Sequence, residues 1–239
     1  MNDTYEQRGS GAASVWAIPG AILIGFGLIA LSIYLGGDKE IAKKSDQAPA
    51  NSPSLENIKP VTAEDHIRGN PNAPVMIVEY SDFDCPYCKT FHLTMQKLIE
   101  EYGPSGKVAW TYRHLPLPSL HPSAPYIAGA SECVAELGGN EAFWKFADMV
   151  FGERGPNELT NVSQLPDYAE DAGVERAAYE ECVKENRHMD KVDADASDAV
   201  AIGARGTPYS VILMGDQKMV INGAENYDRM KILIDGLVK

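Results

Sequence analysis

Pro74-Val75-Met76-Ile77-Val78-Glu79-Tyr80, followed by Ser81-Asp82-Phe83-Asp84 and then Cys85-Pro86-Tyr87-Cys88, decides how this chain folds. The first seven residues form a short apolar, β-branched run, the pattern of a buried strand. Ser81 to Asp84 leave that strand, and the C-x-x-C opens a helix whose core face is Phe91, Met95, Leu98 and Ile99. Val108-Ala109-Trp110-Thr111-Tyr112 reads as the next strand, so the spacing predicts a β-α-β unit with a parallel pair. Helices are expected over Pro125 to Leu137, Ala142 to Phe151, Leu165 to Ala172, Arg176 to Lys184 and about Met189 to Ile202. After Gly206-Thr207-Pro208 comes a strand, Tyr209 to Met214; Gly215-Asp216 supplies a turn, and Met219-Val220-Ile221 returns as a hairpin. A last helix offers Met230, Ile232, Leu233 and Leu237 to the core.

The order β-α-β, helices over about 117–202, then β-β-α describes an α/β protein, a thioredoxin fold with an inserted helical subdomain. In that fold the spacing of Cys85 and Cys88 carries chemistry. A first cysteine at a helix N-terminus meets free N–H groups and the positive dipole end, which stabilise a thiolate. Cys85 is then the exposed nucleophile, and Cys88, one turn deeper, resolves or re-forms a mixed disulfide. Pro86 suits the first helical turn, where its missing N–H costs nothing. Zinc would need two further ligands, and Cys133 and Cys182 stand apart rather than as a second pair. Two other residues converge on the sulfurs. Thr207-Pro208 precedes a strand, where a cis-proline can hold a loop against the reactive thiol, although most X-Pro bonds are trans. Glu79 lies in an otherwise apolar strand; it is either a buried acid suited to proton exchange or an outward-facing residue.

Arg68 to Val75, Glu79 to Cys88, Arg113-His114-Leu115-Pro116-Leu117 and Gly203 to Pro208, in this order, resemble the DsbA-like thioredoxin-fold family from about Val61 to Lys239. The resemblance implies oxidation of thiols in substrate proteins, with Cys85 attacking, Pro208 the cis-proline next to Thr207, and Glu79 the buried acid. It implies no cofactor other than the Cys85–Cys88 disulfide, and a membrane redox partner that reoxidises it. Pro86-Tyr87 resembles a glutaredoxin active site instead, and these two residues tune thiolate stability. Relatives also imply a structural disulfide between Cys133 and Cys182, with two buried free thiols as the alternative. Phe83, Tyr87 and Tyr209 are expected to border the sulfur and to offer apolar contact to a substrate, core packing being the alternative for Phe83. His114 and His121 are read as polar loop residues, and no metal is expected.

The compartment is read from the N-terminus. Val15 to Leu35 carries no charge over a length that suits a membrane-spanning helix, with Trp16 and Tyr34 near its ends. Residues 1–14 precede it as a tail, and 36–60 read as a polar tether to a domain spanning 61–239. Lys39, Lys43 and Lys44 outnumber Arg8 across the span, which by charge alone points to a cytoplasmic domain. Disulfide chemistry points outward, because cytosolic thiols stay reduced. A formal charge of -13 argues against nucleic acid. The expected partners are therefore exported proteins with free thiols. A reductase or isomerase would use the same residues, whereas a non-catalytic chaperone or peptide-binding module would have no need of an intact C-x-x-C, Thr207-Pro208 and Glu79.

Overall fold

The computed structural model describes residues 54–238. The expected tail, membrane span and most of the tether lie outside the described residues, among which no helix is long and apolar enough to cross a membrane. Residues 54–60 do not behave as a tether. Leu55 and Ile58 join an apolar cluster of the domain, and the Lys59 N–H donates to Asp198 at 2.9 Å. The buried guanidinium of Arg113 donates to the Lys59 and Pro60 carbonyls at 3.1 and 2.9 Å. That anchor lies 54 positions away, so the local polar composition carried no sign of it.

Five strands form one sheet: β1 (His66–Gly69), β2 (Val75–Ser81), β3 (Val108–His114), β4 (Tyr209–Met214) and β5 (Gln217–Asn222), in the order β1-β3-β2-β4-β5. β2 and β3 pair parallel, and the remaining neighbours antiparallel. All seven residues of β2 are buried, as its continuous apolar run requires. Alternate side chains of β2 reach opposite faces. Val75 and Ile77 share a core with Trp110 and Tyr112 of β3, while Met76, Val78 and Tyr80 share another with Ala199 and Val211. Glu79 and Ser81 fall, by this alternation, on the Ile77 face. β1 has four residues with an intermediate or exposed outer half, and the sequence showed no alternation long enough to reveal it.

Among the described residues the α-helical elements are α1 (Pro86–Tyr102), α2 (Ala124–Glu153), α3 (Leu165–Asp171), α4 (Arg176–Lys184), α5 (Met189–Ala201) and α6 (Tyr227–Leu237). The two helices expected over 125–151 are present, joined within the α2 span at Gly139, whose φ of 76° and ψ of -174° are non-helical. Only glycine adopts that backbone at little cost, so the chain leaves its helical path for one residue and turns there. α1 presents Phe91, Met95 and Leu98 to the sheet, where Phe143, Phe146 and Phe151 of α2 enter the same core. A disulfide, Cys133–Cys182, ties α2 to α4.

Candidate active site

The site is built where β2 gives way to α1. Asp82 accepts the Asp84 N–H on its side chain at 2.8 Å and the Cys85 N–H on its carbonyl at 3.1 Å, which turns the chain into the helix. Cys85 is the extended N-cap residue, and Pro86 follows at the first helical position. Cys88, one turn in, is wholly buried and its sulfur accepts the Asp82 N–H at 3.5 Å. Cys85 is not exposed as expected: it is 4% exposed, with its sulfur 3.5 Å from the Thr207 carbonyl of the loop before β4. The Thr207–Pro208 bond is cis, and Tyr209 begins β4 directly after it. Both thiols are free.

Their acidities are driven apart. Donation from the Cys88 thiol brings Cys85 down from 9.0 to about 6 against the cost of burial, helped by Thr207 and by the N–H groups of Cys88 and Tyr87. Burial pushes Cys88 far above its usual value. Glu79 faces inward and is fully buried, its Oε2 accepting the Trp110 indole N–H at 2.9 Å. Burial raises its carboxyl from 4.5 to about 8, only partly opposed by Ser81 and Trp110. The outward-facing alternative for Glu79 is thereby excluded. Its Oε1, the Ser81 and Ser210 hydroxyls and the Tyr112 hydroxyl are all buried without a hydrogen-bond partner. Glu79 lies opposite both Tyr112 and Ser210 in the strand register, so the four form one polar enclave beneath Cys88.

The raised Glu79 carboxyl makes stability fall with pH. Between about 4.5 and about 8 the folded protein holds a proton that the unfolded chain has released. Within that window unfolding free energy drops by up to about 1.4 kcal/mol per pH unit. In the oxidised protein Cys85 does not titrate, so denaturant unfolding with the disulfide intact should show this slope, and Glu79→Gln should flatten it. Equal slopes for the two proteins would place the titration elsewhere.

Two expected substrate contacts are corrected. Phe83 is buried, stacked on Tyr112 at 5.1 Å and tilted against Phe151 at 5.1 Å, so it is core. Tyr209 is also buried, in the cluster on the other sheet face, with its hydroxyl 3.4 Å from the Ile202 carbonyl. Tyr87, two residues after Cys85, is 67% exposed. His114 is corrected too: it ends β3 and is buried, while His121 Nδ1 lies 2.8 Å from Asp82. His114 Nε2 and His66 Nε2 each lie 2.7 Å from Glu132 Oε1, which they and their charge hold well below the usual carboxylate range despite burial. These three side chains are close enough to ligate a metal ion. The Lys191 ammonium already serves that carboxylate at 3.8 Å and Asp195 at 2.9 Å. Cys133, Cys182 and His188 are equally close, but both sulfurs are committed to the disulfide.

Arg154 escaped the sequence entirely. It caps α2, is 7% exposed, and donates to the Cys85 carbonyl at 2.7 Å across 69 positions. Nothing local marks an Arg before a Gly-Pro turn as a neighbour of the reactive thiol.

Residues 61–236 match the family model described as thioredoxin. The alpha-DsbA1 of Wolbachia pipientis superposes with a TM-score of 0.64 at 25% identity, covering 77% of this chain and 94% of that one. Pseudomonas aeruginosa DsbA2 does so at 0.58 and 26% identity, covering 75% and 97%. Among curated proteins, Na(+)/H(+) antiporter NhaA 3 of Salinispora tropica is 36% identical over 146 residues, 60% of this chain and 21% of that protein. NhaA 1 of Mycolicibacterium gilvum is 31% identical over 164 residues, 67% of this chain and 25% of the other. The chain thus spans a fifth to a quarter of the length of these curated relatives.

Proposed function

We propose, from the premise that this chain belongs to the thioredoxin family and is a DsbA-like thiol–disulfide oxidoreductase, that it oxidises cysteine pairs of exported proteins. The observation that carries the direction is the lowered Cys85 thiol, at about 6 instead of 9.0. A stabilised thiolate stabilises the reduced enzyme, so its disulfide is the better oxidant. At pH 7 this shift favours the reduced form about tenfold, roughly 30 mV for a two-electron couple.

The chemistry runs from the oxidised enzyme. A substrate thiolate attacks Cys85 Sγ, a sulfur–sulfur bond forms to Cys85, and the Cys85–Cys88 bond breaks with its electron pair on Cys88. The departing Cys88 thiolate, unstable in its buried site, takes a proton from Glu79, a buried acid whose charge acts on Cys88. The second substrate thiolate then attacks its partner sulfur in the mixed disulfide, and Cys85 leaves as the stable thiolate. Two electrons have passed to the enzyme, and a membrane redox partner removes them. Thr207 and cis-Pro208 border the Cys85 sulfur, and the exposed Tyr87 ring offers apolar contact to the incoming chain.

The same proposal places Val15 to Leu35 as a single-pass anchor with the domain outside the cytoplasm. The Cys133–Cys182 disulfide supports that compartment, because such bridges persist where thiols are not kept reduced. The test is the reduction potential of the Cys85–Cys88 couple in glutathione buffers, together with protease accessibility of the domain in intact cells. An oxidising couple on an accessible domain is expected. A couple more reducing than the glutathione pool, or a domain shielded from protease, overturns the proposal.

A further inference from the structure

The motif itself brings no cation to the reactive sulfur, since Pro86 and Tyr87 are uncharged. What surrounds that sulfur is acidic. Asp82 and Asp84 are both 1% exposed, in the turn that leads into Cys85, and Glu79 lies behind Cys88. Two uncompensated carboxylates at this distance would penalise a thiolate. The Asp82 carboxylate is served by the Leu117 N–H and by His121 Nδ1, each at 2.8 Å. The Asp84 carboxylate accepts the Thr160 N–H at 2.8 Å on Oδ1, and its Oδ2 has no hydrogen-bond partner.

Arg154 is the buried cation that faces this group. One guanidinium nitrogen donates to the Cys85 carbonyl and another to the Glu158 carbonyl at 2.9 Å, while its Nε is buried without a partner. The Cys85 carbonyl also accepts the Lys89 N–H at 3.1 Å, so Arg154 grips the first hydrogen bond of α1, the turn that holds both sulfurs. Asp84, Cys88, Cys85 and Asp82 all favour its charged form against burial. Lys89 reaches back the other way, donating to the Phe151 carbonyl and to the Gly152 carbonyl at 3.0 Å. The helical insertion is therefore clasped to the active-site helix in both directions.

We propose that Arg154 is the positioning residue that sets the oxidising strength of Cys85: it neutralises Asp84 and fixes the N-cap carbonyl, so the insertion supplies the positive charge that the Pro86-Tyr87 pair lacks. This rests on the redox reading of the Cys85–Cys88 pair. The charged and titratable groups that enter its pH profile are Glu79, Asp82, Asp84, Cys88, Lys89 and His121.

The measurement is the thiolate absorbance of the reduced protein against pH, paired with the equilibrium in which enzyme disulfide plus two glutathiones gives enzyme dithiol plus glutathione disulfide. Arg154→Met should raise the thiolate midpoint by about one pH unit. At pH 7 it should also lower the glutathione constant about fivefold, equivalent to about 20 mV. Arg154→Lys should recover part of both. Asp84→Asn in the Met background should return the midpoint toward wild type, which a merely structural role for Arg154 would not do. Asp84→Asn alone should lower the midpoint, and it serves as the test if Arg154→Met does not fold. The proposal is overturned if folded Arg154→Met matches wild type within twofold in the glutathione constant, or if Asp84→Asn moves no midpoint. Wild-type protein that exchanges no thiol with glutathione would instead sink the redox reading beneath it.

Discussion

A Cys85→Ser protein oxidises a reduced model substrate no faster than buffer does, and a Cys88→Ala protein given a disulfide-bonded substrate keeps it attached through Cys85, whose thiolate attacks one substrate sulfur while the other leaves as thiolate. The first result follows from where the electron pair must go. A substrate thiolate can only break the Cys85–Cys88 bond if that bond exists, and serine oxygen forms no equivalent bond to sulfur. A loss of roughly three orders of magnitude or more is expected, since nothing else in the site replaces the disulfide sulfur that the substrate thiolate attacks. The second result follows from the burial of Cys88, which is the neighbouring thiol able to release Cys85 from a mixed disulfide. With alanine there, Cys85 keeps its helix N-terminus and its nearby Thr207 carbonyl but loses the donation from the Cys88 thiol. Its titration midpoint should therefore move up from about 6 while adducts persist on a non-reducing gel. Wild-type rates in Cys85→Ser, or no adduct in Cys88→Ala, would remove these two sulfurs from the mechanism.

How much of this was legible in the sequence depends on how local each signal is. The strand at Val75–Ser81 and the helix from Pro86 are set by neighbours in the chain: a β-branched run, an Asx turn and a proline at a helix start. The same holds for the hairpin at Gly215-Asp216, where a turn joins two short strands. Glu79 was ambiguous because one carboxylate in a buried strand points to either face, and only pairing with Tyr112 and Ser210 decides which. Phe83 lay between an active-site border and the core, and the aromatic cluster of Tyr112 and Phe151 drew it inward. Residues brought together across long loops left no trace at all. His66, His114 and Glu132 meet from three elements, Arg113 holds Lys59 and Pro60, and Arg154 returns to Cys85 from the far end of α2. The chemistry of the pair was therefore readable locally, whereas the charges that tune it were not.

Replacing both Cys133 and Cys182 by alanine should cost on the order of 4 kcal/mol of unfolding free energy while sparing the redox chemistry. The bridge spans 49 positions and joins the first half of α2 to α4, with both sulfurs buried. Closing a loop of that size removes many conformations from the unfolded chain, and in the chain-entropy model most of the stabilisation arises there. Two independent readouts follow. The denaturant midpoint falls, and the denaturant slope steepens because the unbridged unfolded chain exposes more surface. A falling midpoint with an unchanged slope would locate the loss in the native packing around α2 and α4 instead. The choice of alanine matters, since both sulfurs lie in an apolar core where a serine hydroxyl would add an unpaired polar group of its own. The Cys85–Cys88 couple is built from α1 and the loop before β4, neither of which the bridge joins, so its glutathione constant should stay within twofold. Titration with dithiothreitol then separates the two pairs: Cys85–Cys88, poised to exchange, reduces first, and Cys133–Cys182 holds until the insertion itself opens. Reduction of both pairs in one step would mean that the helical insertion is no more stable than the site it clasps.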